Sequence, residues 1–239
     1  MQRLPRQERL TLGGPSGALE ALAEEPERGA SSGAGVVRGN LGATSDKSGA
    51  AGPGFGVICH PHPLHGGTLD NKVVYTLARA LHDLGLPTVR FNFRGVGASE
   101  GRFADGRGET ADALAVVAWG RARWPGAKPW LAGFSFGGGV ALEAAAETRV
   151  ERLITVAPAI LRLEAAHAPP ACPWLLIQGD ADDVIDPGSV LAWASRQSPP
   201  PAMKVLAGAG HFFHGRLPEL RAAVVEFARE AGAPEGSAG

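Results

Sequence analysis

Cysteine is scarce in this sequence, and its scarcity excludes two classes of protein. The 239 residues contain two cysteines, Cys59 and Cys172. Two thiols cannot build a disulfide framework, and neither lies in a C-x-x-C spacing that would hold a metal ion. Both stand in apolar, strand-like segments, so we expect them to be reduced, buried thiols.

An excess of one charge and long apolar runs are absent as well. Lysine and arginine total 23 against 24 aspartate and glutamate residues, which gives a net charge of −1. Such a balance exerts no overall pull on nucleic acid or on anionic lipid. No run of about 18 apolar residues is present to span a membrane, and the N-terminal segment lacks the apolar core of a secretory signal. We therefore expect a cytoplasmic protein with no nucleic-acid or membrane partner. The sequence does not indicate its oligomeric state.

The rest of the composition indicates one large globular domain over residues 1–239. A chain of this length with 44% hydrophobic residues can bury a full core. One stretch differs, because residues 26–53 are dominated by Gly, Ala and Ser and almost lack large apolar side chains. Too little apolar surface is available there to offset the entropy of ordering, so we expect a flexible insertion. A short hairpin is predicted before it.

After Gly54 the chain alternates between strand-like apolar runs and segments with helical spacing. The strand-like runs include FGVICHP, PTVRFNF, PWLAGF, RLITVAP, PWLLIQG and AMKVLAG. Helical segments such as NKVVYTLARALHDL separate them. The alternation predicts an α/β fold with a mostly parallel central sheet and helices on both faces. Sites in such sheets form beyond the carboxyl ends of the strands, so the residues after each strand are the candidates.

Two pentapeptides match the G-x-S-x-G pattern of a serine nucleophile, one around Ser99 and one around Ser135. With 34 glycines in the chain, a chance match is easy, so the flanking segments decide. A nucleophile needs a strand before it and a helix after it, because the sharp turn lifts the hydroxyl above the sheet edge. PWLAGF precedes Ser135 and GGGVALEAAAE follows it, whereas Ser99 lies in a polar, Gly-rich loop. We predict Ser135 as the nucleophile and Ser99 as a loop residue.

A catalytic imidazole, and a carboxylate to orient it, are expected further along the chain. The segment after PWLLIQG carries four carboxylates, Asp180, Asp182, Asp183 and Asp186. Asp186 precedes a proline and suits a helix N-cap, but spacing does not choose among the others. His211 follows the strand AMKVLAG near the C-terminus, where it can reach back to the nucleophile. We predict His211 as the general base, with His214 as the alternative.

Three histidines cluster after the first buried strand, in the run His60-Pro61-His62-Pro63-Leu64-His65. A metal site is one interpretation, but the prolines stiffen the loop, and we predict no metal. We expect instead that this loop supplies a backbone N–H to an oxyanion hole. Pro61 and Pro63 have no N–H to donate, so His62 is the candidate, and the N–H of Phe136 is the other donor.

Five segments in order give the sequence a family resemblance. They are CHPHPLHGGTLDNKVV, VRFNFRGVGASEG, LAGFSFGG, LLIQGDADDVIDP and GAGHFFHG. Between Phe55 and Ala228 the chain resembles the α/β-hydrolase superfamily, and within it small lidless bacterial serine hydrolases related to the dienelactone-hydrolase and dipeptidyl-peptidase-like branches. The G-x-x-D pattern of such hydrolases maps onto Gly179–Asp182, so the resemblance implies Asp182 as the acid. Their His-Gly-x oxyanion loop is replaced here by His60-Pro61-His62.

The same resemblance indicates where a lid, or cap domain, would be inserted. In hydrolases of this kind a cap is usually inserted after the strand that follows the nucleophile helix. Only residues 159–173 separate that strand from the next one here. One short helix takes about 11–12 residues, so we expect no cap domain. The site should then be open and walled by loops at residues 62–67, 102–106, 160–167 and 212–213.

Together these residues predict a serine hydrolase that transfers an acyl group to water through Ser135, His211 and Asp182 and needs no cofactor. The expected substrate is a small-molecule carboxylic ester with a short or exposed acyl group, because an open site has little apolar wall to enclose a long tail. Two alternatives stay open. One is a thioesterase or peptidase-type hydrolase with the same parts, and the other is a non-catalytic protein of this fold that acts through contacts.

Overall fold

The computed structural model describes residues 5–26, 54–160 and 170–230, which form strands and helices in the predicted order. The strands are β1 (Arg6–Gly14), β2 (Gly17–Glu25), β3 (Gly54–Cys59), β4 (Thr88–Phe91), β5 (Lys128–Phe134), β6 (Arg152–Val156), β7 (Trp174–Gly179) and β8 (Ala202–Leu206). The helices are α1 (Lys72–Asp83), α2 (Arg107–Arg123), α3 (Phe136–Glu147), α4 (Pro187–Ser195) and α5 (Leu217–Glu230). A 3-10 turn, Pro63–His65, follows β3.

Within these ranges eight strands form one sheet, in the order β1-β2-β4-β3-β5-β6-β7-β8. From β4 to β8 all neighbouring strands pair in parallel. The β1–β2 hairpin is antiparallel, and β2 also pairs antiparallel with β4. The predicted mostly parallel sheet is therefore confirmed, and the predicted hairpin extends one edge of it.

Helices on both faces bury the central strands. In β3, Phe55 and Val57 point into a core that includes Val116 of α2, whereas Ile58 points into a second core that includes Leu77 of α1. Burial of one such side chain stabilises the fold by about 1.5–3 kcal/mol. Because both faces are covered, the strands β3, β5, β6 and β7 are mostly apolar runs, which explains why they are visible in the sequence.

A buried ion pair joins the hairpin to the parallel strands. Arg90 of β4 donates from Nε to Glu24 of β2 at 2.8 Å, and both side chains are almost wholly buried. The same guanidinium donates to the Leu69 carbonyl at 2.6 Å and lies over the Tyr75 ring. These partners offset part of the cost of removing the charges from water. The pair links β2, β4 and the start of α1.

The two cysteines differ in burial. Cys59 is wholly buried at the end of β3, and burial raises the pKa of its thiol. Cys172 is only half-buried in the segment before β7, so the prediction of a buried thiol in a strand is wrong for this residue. Burial nevertheless raises the pKa of Cys172 to about 11, so the thiol stays protonated near neutral pH.

Two predicted features fall mostly outside the described residues. The Gly/Ala/Ser-rich stretch at 26–53 is described only at Pro26, and the predicted wall at 160–167 only at Ile160. The flexible insertion and the single-domain organisation therefore stay predictions. Among the helices of the described ranges, none is long and apolar enough to cross a membrane.

Candidate active site

Ser135 lies at the sharp turn between β5 and α3, in the strand–turn–helix context that the sequence predicted. Its φ of 56° and ψ of −119° place a non-glycine residue in a left-handed conformation, which costs about 1–3 kcal/mol. Neighbouring hydrogen bonds enforce it. The Ser135 N–H donates to the Val156 carbonyl at 2.8 Å, and the Ser135 carbonyl accepts from the N–H groups of Gly138 and Ala159 at 2.9 and 3.1 Å.

Close backbone contacts require both glycines of this pentapeptide. A Cβ on Gly133 would lie 2.0 Å from the Gly137 carbonyl oxygen. A Cβ on Gly137 would lie 2.3 Å from the His60 carbonyl oxygen and 2.5 Å from that of Cys59. The obstacle is backbone in each case, so a side chain cannot simply rotate away. The first turn of α3 therefore packs directly against the end of β3.

Ser99, the competing serine, has a structural task. Its hydroxyl donates to the Asn92 carbonyl at 2.7 Å and accepts from the Glu20 N–H at 2.9 Å. Its flanking glycines, Gly97 and Gly101, have φ values of 58° and 88° and shape a loop with no helix directly after it. Ser99 thus fastens the loop after β4 to the hairpin, in agreement with its prediction as a loop residue.

His211 lies between Ser135 and Asp182. Its Nε2 is 3.1 Å from the Ser135 hydroxyl oxygen, and its Nδ1 is 2.8 Å from Asp182 Oδ2. All three residues are more than nine-tenths buried. They follow β5, β7 and β8, and the parallel sheet brings the ends of these strands to one edge. The alternative base, His214, is exposed, and its ring lies beside Phe212.

Asp182 is the buried carboxylate among the four that follow β7. Its Oδ1 accepts from the N–H groups of Val184 and Ile185 at 2.9 and 2.8 Å. Its Oδ2 accepts from Gln178 Nε2 at 3.0 Å and faces the His211 ring. These contacts satisfy the buried carboxylate and fix its orientation toward the imidazole.

The other three carboxylates after β7, Asp180, Asp183 and Asp186, are exposed. Asp180 and Asp186 accept hydrogen bonds from nearby backbone N–H groups. Asp186 caps α4, as predicted, by accepting a backbone N–H of the first turn at 2.8 Å. Asp180 accepts from the Gly208 N–H at 2.6 Å. The neighbouring Ala181 N–H donates to the Ala209 carbonyl at 3.1 Å. Two hydrogen bonds therefore tie the loop of the acid to the loop of the histidine.

Gln178 belongs to the site, although the sequence did not single it out. It is wholly buried near the end of β7, and its amide donates to Asp182. A polar side chain in the otherwise apolar strand WLLIQG is the signal that could have found it, because a buried amide needs a partner. Gln178 holds the acid from the strand side.

His60 joins two strand ends and leaves no nitrogen for a metal. Its Nε2 accepts from the Phe93 N–H at 3.0 Å, so Nδ1 carries the proton and donates to the Pro61 carbonyl at 2.6 Å. Burial lowers the pKa of His60 to about 4, against a smaller opposing effect of the bond to Pro61. The ring is therefore neutral at neutral pH. Among the residues that the structure describes, no three His, Cys, Asp or Glu side chains are grouped so as to hold a metal ion.

The two predicted oxyanion donors are on neighbouring segments. Phe136 is the first residue of α3, so its N–H has no partner within the helix. The His62 ring lies 5.0 Å from the Phe136 ring and 5.0 Å from the Phe103 ring. The His62 carbonyl accepts from the Gly67 N–H at 3.1 Å, which closes the loop. The loop after β3 therefore borders the nucleophile turn, and the donor role of the His62 N–H stays a prediction.

The predicted wall at 212–213 divides into an outer and an inner residue. Phe212 is 49% exposed, whereas Phe213 is wholly buried. The prediction that both line the site is therefore wrong for Phe213, whose ring lies in the core beside Phe134.

Known proteins resemble this chain in sequence and in structure. A family model described as the alpha/beta hydrolase fold matches residues 64–172. An alpha-beta serine hydrolase homologue from Coxiella burnetii is 43% identical, with a TM-score of 0.78, over 92% of this chain and 96% of that chain. XC6422 from Xanthomonas campestris, described as an a/b serine hydrolase without lid, is 40% identical, with a TM-score of 0.81, over 95% of each chain. The uncharacterized protein RP471 of Rickettsia prowazekii is 32% identical over 72% of this chain and 76% of that protein.

Gly137→Ala should damage the turn that holds Ser135. The added Cβ would lie 2.3 Å from a carbonyl oxygen, so the backbone must shift. Overpacking of this kind costs about 1–3 kcal/mol, which should lower Tm, followed by circular dichroism, by about 2–10 °C. The control is Gly13→Ala in β1, where an added Cβ meets nothing within 4 Å and Tm should change little. Equal Tm values for the two variants would contradict the close packing.

Proposed function

The chain belongs to the α/β serine hydrolases, and on that basis we propose that it hydrolyses carboxylic esters with Ser135, His211 and Asp182 as catalytic residues. One observation carries the proposal. The imidazole of His211 lies 3.1 Å from the Ser135 hydroxyl and 2.8 Å from the Asp182 carboxylate on its opposite nitrogen. The left-handed backbone of Ser135 supports the proposal too, because enforced strain clusters at active sites.

In the first half of the proposed reaction, Ser135 Oγ attacks the ester carbonyl carbon while His211 Nε2 takes the hydroxyl proton. The Nδ1–H of the same ring donates to Asp182, which holds the tautomer and stabilises the imidazolium that forms. The bond from the carbonyl carbon to the alcohol oxygen then breaks, and the imidazolium returns its proton to that oxygen. The alcohol leaves, and the acyl group remains on Ser135.

In the second half, water replaces the alcohol. His211 takes a proton from the water as its oxygen attacks the acyl carbon, and then returns that proton to Ser135 Oγ. The carboxylic acid leaves, and the site is restored. In both halves negative charge develops on the carbonyl oxygen, where we assign the N–H groups of Phe136 and His62 as donors. One such donor is worth about 3–4 kcal/mol of transition-state stabilisation.

Short or exposed acyl groups suit this proposal. Only residues 157–173 separate β6 from β7, the usual place of a cap. Without a cap, little apolar surface can enclose a long acyl chain, and transfer of that chain from water contributes little to binding. A small acyl compound is thus the proposed partner. The cytoplasmic location stays a prediction.

Replacement of Ser135 by alanine tests the nucleophile. Ser135→Ala should lower kcat for p-nitrophenyl acetate by about 10⁶-fold, because no other group can form the acyl intermediate. It should also abolish labelling by a fluorophosphonate probe. Ser99→Ala is the matched control, since it removes a buried hydroxyl from the other G-x-S-x-G motif. It should cost stability and keep the labelling. Loss of labelling in Ser99→Ala alone would show that the nucleophile is misassigned.

Amide replacements test the acid. Asp182→Asn keeps the shape of the side chain but favours the wrong imidazole tautomer, so kcat should fall by up to about 10⁴-fold. Asp180→Asn, two residues earlier, changes an exposed carboxylate that accepts the Gly208 N–H and should keep most of the activity. Circular dichroism should show both variants folded. If instead Asp180→Asn lost turnover and Asp182→Asn did not, the acid would lie at position 180.

A series of p-nitrophenyl esters tests the size of the acyl group. Acetate or butyrate should give a higher kcat/KM than palmitate, because the open site cannot desolvate a long chain. Turnover should also not rise when the substrate forms an interface. Rates with Ser135→Ala supply the background for each ester. A preference for acyl chains of twelve or more carbons, or activation at a lipid interface, would contradict the open site.

A further inference from the structure

Phe212 is a large apolar side chain left exposed beside the proposed general base. It is 49% exposed, and its ring meets the His211 ring edge-on with the centroids 5.1 Å apart. It also lies 6.3 Å from the ring of Phe134, the residue before the nucleophile. No step of the proposed reaction uses this side chain. An exposed ring next to the reacting imidazole offers contact surface to a bound substrate.

The backbone holds Phe212 in this exposed position. The next residue, Phe213, is wholly buried and has a φ of 52°, a left-handed conformation that is rare for a bulky side chain. The Phe213 N–H donates to the Gly210 carbonyl at 3.0 Å, and its carbonyl accepts from the Arg216 N–H at 2.9 Å. Such strain persists only where the surroundings enforce it. The turn therefore fixes one ring in the core and the preceding ring outside.

The position of Phe212 beside His211 indicates which part of a bound ester the ring would contact. His211 Nε2 must return its proton to the alcohol oxygen, so the alcohol part of the ester lies on the histidine side of the reacting carbonyl. The acyl part stays bonded to Ser135. A ring that packs on His211 therefore borders the alcohol part more closely than the acyl part.

We propose that Phe212 is a specificity-determining residue that contacts the alcohol part of the ester and makes the protein favour esters of aromatic alcohols over those of small alcohols. The inference rests on the proposed ester hydrolysis and names the leaving-group class of that reaction. It concerns only the steps up to formation of the acyl intermediate, because the alcohol has left after them. The value of kcat/KM reports those steps.

Benzyl acetate and ethyl acetate are the test substrates. Their alcohols are of similar acidity, and both esters give the same acetylated Ser135, so a difference in kcat/KM reports contacts with the alcohol. Wild-type protein should prefer benzyl acetate. Phe212→Ala should lower the benzyl-to-ethyl ratio of kcat/KM by about 5–10-fold, the effect of one lost aromatic contact. Phe212→Tyr keeps the ring and should keep the ratio.

The matched control is Met203→Ala in β8, a residue that is 45% exposed and stands apart from the site. It should leave both kcat/KM values unchanged. Equal losses for the two esters in Phe212→Ala would make Phe212 a positioning residue for His211 and overturn the inference. An unchanged ratio would overturn it as well. Wild-type protein that hydrolyses neither ester and is not labelled at Ser135 would instead refute the proposed function, and this inference with it.

Discussion

The first turn of α3 packs against the end of β3 with no space between the two backbones, and this contact places much of the site. Gly137 lies against the carbonyl groups that end β3. With α3 held there, Ser135 must leave β5 in a left-handed conformation before the helix can begin. The same contact brings the loop that carries His62 beside Phe136. One steric constraint therefore positions Ser135, the proposed nucleophile, and the segments that hold both proposed oxyanion donors.

Two buried polar side chains near this turn, Asp182 and His60, are each held by several hydrogen bonds. The Asp182 carboxylate accepts from two backbone N–H groups and one amide besides facing His211. His60 uses both ring nitrogens and stays neutral, so it adds no charge near the nucleophile. A buried polar group that lacked a partner would cost about 1–3 kcal/mol. Hydrogen bonds of this kind fix the orientation of the Asp182 carboxylate toward the imidazole, which the proposed general-base step requires.

Local patterns in the sequence predict Ser135 and His211 as candidates, because each follows a strand-like run that is visible on its own, and the structure brings the two side chains together. Spacing does not distinguish Asp182 from its three neighbours. The prediction of Asp182 as the acid needed the family resemblance. In the structure, Asp182 is the buried carboxylate of the four and contacts His211. The ion pair between β2 and β4 could not be predicted, since its members are 66 residues apart and only the folded sheet brings them together. Phe213 was misplaced on the site wall because a left-handed turn after His211 reverses the expected direction of its side chain.

The loops that carry Asp182 and His211 share one construction, in which hydrogen bonds hold the buried residue while a nearby side chain is exposed. Val184 donates its N–H to Asp182 while its own side chain is 60% exposed. Phe212 follows the same rule, because its neighbours His211 and Phe213 are buried while its ring is exposed. Exchange of the Val184 or Phe212 side chain changes the exposed surface of its loop but removes no hydrogen bond of the neighbouring backbone. By contrast, a substitution at the wholly buried Phe213 would disturb the core packing directly after His211.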